Sequence, residues 1–182
     1  MTPKSFALAT LFLGIASAIA APLLSKSDKW WTYIADYDGK PGSTRVDMGL
    51  REEAPLATLP TLVVFGTKYE QKPETGFPTD EALNKLNAES DSHIEAVLNA
   101  QTGIYVGTFT HNGEQVHYVY ARTAEGTEQA FRQSLARSCP KCEAVYRTRP
   151  DPAWNAYLKF LYPSQATLQH YGLDPRTLRP AR

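Results

Sequence analysis

The sequence predicts an α+β protein built on a ferredoxin-like split βαβ sandwich, an antiparallel sheet with two helices on one face. Three observations predict it. Between Thr61 and Thr148 the apolar period switches in the order strand, helix, strand, strand, helix, strand, which is the order of that unit. The central strand pair flanks Asn112-Gly113, the two-residue turn whose members both tolerate positive φ. Beyond the unit, Asp151-Pro152 opens a further helix with an aromatic stripe. An N-terminal hairpin is expected to extend the sheet or cover its edge, and C-terminal helices to pack on the remainder.

Each element has its own signal. Trp30 to Tyr37 is aromatic and strand-prone, and Asp38-Gly39-Lys40-Pro41-Gly42 is a dense turn signal. Thr44, Val46, Met48 and Leu50 alternate with Arg45 and Asp47, the pattern of a half-buried strand. After Pro55 and Pro60, Thr61 to Tyr69 reads as a strand buried on both faces. Lys72 to Pro78 is a loop. Thr79 is then an N-cap, its hydroxyl accepting a free amide, with Asp80 and Glu81 suited to the positive helix end. Leu83, Leu86, Ser90, Ile94, Val97 and Leu98 follow helical spacing to Ala100, with Ser90 interrupting the stripe.

The hairpin Ile104–His111 with Glu114–Arg122 pairs His111 with Glu114 and Thr108 with His117. Strict alternation puts Tyr105, Phe109, Val116, Tyr118 and Tyr120 on one face, and Ile104, Val106, Val119 and Ala121 beneath the helices. Thr127 to Arg137 carries Ala130, Phe131, Ser134 and Leu135 on one helical face, and Glu143 to Thr148 is a last strand. Asp151 caps the next helix with Pro152 at its first position; Trp154, Tyr157, Leu158 and Leu161 form its stripe, and Pro163 stops it. The aromatic face is then either the floor of a groove or, the favoured reading, covered by the C-terminal helices, with Trp154 and Phe160 supplying the cover. Ser164 caps a short helix to Tyr171, ended by Gly172.

The chain has 182 residues, 42% hydrophobic and 21% charged, values that exclude a disordered, collagen-like or disulfide-dense protein. Nineteen basic residues balance nineteen acidic ones, so the overall basic excess of a nucleic-acid or anionic-membrane binder is missing. Residues 1–20 read as a signal peptide. Lys4 is its one charge, Phe6 to Ile19 is apolar, and Ala18-Ile19-Ala20 places the cut after Ala20. The apolar run is shorter than the roughly 20 residues a membrane span needs. The reading is therefore a periplasmic or secreted protein, off the membrane once cleaved. Residues 21–29 form a short segment, 30–171 one domain, and 172–182 a basic tail with Arg176, Arg179 and Arg182.

Cys139-Pro140-Lys141-Cys142 is the one motif able to carry chemistry by itself, as a redox dithiol, half a zinc site or a short structural disulfide. Zinc needs two more ligands, and the hairpin register puts His111 and His117 on opposite faces. Redox catalysis prefers a helix N-terminus, whereas this pair follows a helix, with Lys141 and Arg137 as partial compensation. A disulfide suits an oxidising compartment. His93 and His170 read as packing or surface residues, Asp151 as a cap, and Glu70, Glu74, Asp80 and Glu81 as a solvated acidic patch. No nucleophile elbow, phosphate loop or zinc-protease helix occurs. No metal or cofactor is expected. The functional expectation is a non-enzymatic module binding a protein or small ligand through its sheet or loops, with thiol–disulfide redox chemistry at Cys139 and Cys142 as the alternative.

The segments Trp31-Thr32-Tyr33, DGKP at 38–41, VDMGLRE, GFPTDEALNKLNA, YVGTFTHNGEQVHYVYA and DPAWNAYLKFLYPS together resemble domain of unknown function 695 over Trp30 to His170. The D-P-x-W helix ending in L-Y-P-S is the most specific part, and the hairpin with its G-x-x-T and Y-x-Y is the second landmark. The resemblance brings no established activity and no catalytic residue. By that resemblance the CPKC pair and the leader are departures from the family's usual pattern.

Overall fold

The computed structural model describes residues 29–173. The signal peptide read at 1–20, the segment 21–28 and the tail from 174 onward lie outside the described residues. Asp38 and Gly39 both take positive φ, 54° and 79°, and close a tight turn between β1 (Trp30–Tyr37) and β2 (Lys40–Asp47). The turn is thus two residues long, and Lys40 to Gly42 already belong to the strand. The alternation expected to continue through Leu50 ends at Asp47. There the Asp47 carboxylate accepts the Gly49 N–H at 3.0 Å and starts a 3-10 helix, Met48–Glu52, which buries Met48 and Leu50 by a different route.

β3 (Thr61–Lys68) is buried over its central residues, as its unbroken apolar run requires. Thr79 caps α1 (Asp80–Ala100), accepting the Ala82 N–H at 3.3 Å. Leu83, placed on the buried stripe by its spacing, is 41% exposed. β4 (Gly103–His111) and β5 (Glu114–Ala121) join at Asn112-Gly113, with φ of 44° and 87°, and pair His111 with Glu114 and Thr108 with His117. Then follow α2 (Thr127–Ser138) and β6 (Ala144–Pro150).

The six strands form one antiparallel sheet in the order β1-β2-β4-β5-β3-β6. β3 and β4 therefore flank β5 and run the same way, with α1 crossing between them. The N-terminal hairpin adds two strands at the β4 side.

α1 and α2 pack together over one face, where Val63, Phe65, Ile94, Val97, Phe131 and Leu135 make a core. The opposite face holds a second core of Leu62, Val64, Val116 and Tyr120 beneath Leu50, Trp154, Tyr157 and Leu161. Strict alternation fails in β4. A bulge between Tyr105 and Gly107 inserts one residue against β5, which turns Tyr105 toward the two helices and Ile104 and Val106 toward the second core. That reverses the faces expected for these three residues.

The segment after β6 also departs from expectation. Asp151 is a cap, but Pro152 and Ala153 form a turn and Trp154 takes a left-handed φ of 53°. The helix begins only at Ala156. It is a single wide π-type turn, Ala156–Leu161, closed by the Tyr162 N–H on the Tyr157 carbonyl at 2.8 Å. Trp154 covers the sheet as expected, stacked on Tyr120 with ring centroids 4.0 Å apart. Phe160 sits edge-on to Phe109 at 4.9 Å. α3 (Gln165–His170) is capped by Ser164, which accepts the Thr167 N–H at 3.1 Å.

Candidate functional site

Cys139 and Cys142 are joined by a disulfide at the C-terminal end of α2, with Cα atoms 5.3 Å apart. Cys139 is the closing residue of the helix, its N–H on the Leu135 carbonyl at 2.7 Å, and the Cys142 N–H returns to the Cys139 carbonyl at 3.0 Å. The two sulfurs have different surroundings. Cys139 is 4% exposed and packs in the two-helix core. Cys142 is partly exposed and lines a cavity of about 220 Å³ with Thr67, Tyr69, Glu81, Lys85 and Glu89. Lys85 reaches across from α1 and places its Nζ 2.7 Å from the Cys139 sulfur. Lys85 was not among the cations expected near the pair. It lies 54 residues away, and no local spacing marks it.

Behind this cavity lies a buried polar inlay between α1, α2 and the sheet. His93 Nδ1 and Ser134 Oγ share a hydrogen bond of 2.9 Å, and Ser134 Oγ also donates to the Ser92 carbonyl at 3.3 Å. Nε2 of His93 is buried without a hydrogen-bond partner. The Glu89 carboxylate is 4.0 Å from it. Serine, histidine and carboxylate thus stand in a row, yet Ser134 and His93 are each 3% exposed and edge Phe131, so no substrate atom reaches the hydroxyl. Burial, with Arg137 as a lesser cause, holds the His93 pKa below its ordinary value.

His117 shares a 2.9 Å bond with Thr108, which is bonded in turn to the Tyr105 hydroxyl. Burial, then the nearby His93 and Arg45, pushes its pKa down to about 3. Both rings are packing residues in the neutral form. His111 lies on the opposite face, bonded to the Tyr37 carbonyl at 3.0 Å, so the two hairpin histidines do not converge. In the acidic patch, Asp80 pairs with Lys72 at 2.7 Å, which lowers the Asp80 pKa. Among the described residues no three metal-ligating side chains gather at one point.

Asp151 is a buried carboxylate held by several hydrogen bonds. Oδ2 accepts the Tyr120 hydroxyl at 2.6 Å and the Ala156 N–H at 2.9 Å, while Oδ1 accepts the Asn155 N–H at 2.9 Å. Burial alone would raise its pKa, but these bonds to the charged form outweigh it and the pKa is lowered. The group ties the π-turn to the sheet rather than facing solvent.

The sheet has two edges, and they differ. On β1 the Tyr171 hydroxyl accepts the Ile34 N–H and donates to the Ile34 carbonyl, both at 3.0 Å, closing the middle of that edge. On β6 the bonds from Lys68 N–H to Glu143 O and from Asp151 N–H to Pro60 O fix which residues face β3. By alternation, Ala144, Tyr146 and Thr148 direct their N–H and C=O groups outward. Among the described residues none bonds those groups. Tyr146 and Thr148 also line an open groove against α2, with Gly126, Arg132 and Gln133 on its far side. A model described as a family of unknown function (DUF695) matches residues 28–162. The chain belongs to the DUF695 family. No curated protein and no solved structure matches it. The DUF695 stretch spans all six strands and ends at Tyr162, the residue that closes the π-turn, so it contains Asp151, Trp154, Lys85 and both cysteines. Among the described residues no helix is long and apolar enough to cross a membrane.

Proposed function

We propose that this DUF695 protein is an exported, non-enzymatic binding module that takes an extended segment of a partner protein along its free β6 edge. The observation that carries the reading is the contrast between the edges. Tyr171 blocks β1, whereas the outward N–H and C=O groups of Ala144, Tyr146 and Thr148 have no partner among the described residues. An added strand supplies main-chain bonds to those groups, and the groove beside α2 receives alternate side chains of the partner. Export rests on the leader at residues 1–20 and agrees with the disulfide. We read Thr61–Pro150 as a ferredoxin-like split βαβ unit, supported by β3 and β4 flanking β5 with α1 between them.

The test is selection of extended peptides from a displayed library, followed by amide chemical-shift mapping. Selected peptides shift Ala144, Tyr146 and Thr148, and Thr148→Pro abolishes binding while leaving the fold intact, because that N–H bonds no strand of this sheet. Binding unchanged in Thr148→Pro, or turnover in a broad hydrolase and oxidoreductase panel, overturns the reading. A second reading, thiol–disulfide exchange at Cys139 and Cys142, is favoured by one specific observation, the Lys85 ammonium against the Cys139 sulfur.

A further inference from the structure

We propose that the cavity beside the disulfide is a thiol-exchange site with a fixed polarity: Cys142 Sγ is attacked by a small thiol, and Cys139 Sγ leaves as a thiolate held by Lys85. The proposal rests on the second reading above and adds direction, substrate class and a positioning residue to it. Access sets the direction. Cys139 is buried in the two-helix core, while Cys142 is partly exposed and opens on the cavity. Only the Cys142 sulfur presents itself to a nucleophile from solvent.

Charge sets the same direction. Exchange quickens as the leaving thiol becomes more acidic, and a neighbouring ammonium favours thiolate over thiol. The Lys85 Nζ stands 2.7 Å from Cys139 Sγ, placed to receive the negative charge as it forms. The C-terminal end of α2 acts the opposite way, since its carbonyls disfavour an anion. Lys85 is therefore the group that makes Cys139 a competent leaving group, and removing it leaves the helix effect opposed only by the more distant Arg137 in the last turn and Lys141 between the cysteines.

The step balances without any further reactant. A thiolate RS⁻ attacks Cys142 Sγ, the Cys142–Cys139 bond breaks, and its electron pair departs on Cys139 Sγ, giving R–S–S–Cys142 and a Cys139 thiolate. A second thiolate attacks the R sulfur, releases Cys142 as thiolate and yields RSSR, so two thiols are oxidised and the protein disulfide is reduced. A cavity of about 220 Å³ holds a thiol of a few heavy atoms but not a folded chain, which points to small thiols as the substrate class.

The experiment treats oxidised protein with excess 2-mercaptoethanol, quenches with acid and locates the mixed disulfide by peptide mass spectrometry. Rates are compared for the wild type, Lys85→Gln and Lys85→Arg, and the thiol pKa values of the reduced proteins are read from thiolate absorbance. Expected are an adduct on Cys142, a rate about tenfold lower in Lys85→Gln, and recovery in Lys85→Arg. The reduced wild type should also hold one thiol of lowered pKa that Lys85→Gln loses. An adduct on Cys139, or an unchanged rate in Lys85→Gln, overturns the polarity while leaving exchange itself standing. A folded protein whose disulfide reacts no faster than in the urea-unfolded chain overturns the exchange reading together with the proposal.

Discussion

Replacing Tyr120 by Phe removes one oxygen from the centre of the second core and leaves its packing in place. The ring is fully buried and stacks on Trp154 at 4.0 Å and 9°. Its hydroxyl donates to Asp151 Oδ2 at 2.6 Å and accepts the Tyr157 N–H at 3.2 Å. The first is a bond to a charged acceptor, worth about 1.5–3 kcal/mol, and losing the second strands a buried N–H at about 1–3 kcal/mol. Asp151 keeps the Asn155 and Ala156 amides, which limits the sum. We expect a loss of about 3–4 kcal/mol, an apparent melting-temperature drop of roughly 6–15 °C for a chain of this size. Urea unfolding of Tyr120→Phe, Asp151→Asn and the double variant measures it. The cycle should return a coupling of about 1.5–3 kcal/mol, because each single change spoils the same bond. A loss under about 1 kcal/mol for Tyr120→Phe, or additive single changes, would refute the view that this bond fastens the π-turn to the sheet.

The buried histidines make stability fall with acid. His117 has a folded pKa of about 3 against an ordinary 6.5, so between those values the unfolded chain binds the extra proton. Stability from this ring is full above about pH 6.5 and declines as pH falls toward 3, by up to about 5 kcal/mol, and His93 adds to the same slope. Denaturant midpoints at pH 7, 5.5 and 4.5 should decline in that order, and less steeply in His117→Gln; midpoints flat across the series contradict neutral burial. Gly66→Ala places a Cβ 1.9 Å from the Gln115 carbonyl oxygen, a backbone atom that cannot swing aside. We expect a cost of about 3 kcal/mol or more, or no folded protein, and a well-folded variant by circular dichroism would overturn the β3–β5 register at this point.

Legibility followed the range of the interaction that decides each residue. Asn112-Gly113, Thr79 and Ser164 were readable because a turn or a cap is settled by the dihedrals and side chain of the residues themselves. The order of strands and helices from Thr61 to Thr148 was readable through the period of the apolar residues, whereas the 3-10 helix Met48–Glu52 was not. The bulge at Tyr105–Gly107 was not, since no residue there demands it and it is settled by pairing across two other strands. Trp154 likewise carried the right stripe with the wrong backbone. Its left-handed turn is held by stacking on Tyr120, 34 residues away, and by the Tyr120–Asp151 bond that anchors the turn across 31 residues.

The candidate site divides along the same line. The CPKC spacing made a bond between its own cysteines readable, because only Pro140 and Lys141 lie between them. What distinguishes one sulfur from the other is not in that spacing. It comes from α1, which packs on α2 and carries Lys85 to the buried member while leaving the cavity open at the other. A short disulfide closes so small a loop that chain entropy gives it only about 2 kcal/mol of stabilisation. Its position between a core and a cavity, with an ammonium against the buried sulfur, therefore bears more on how the bond opens than on how the fold stands.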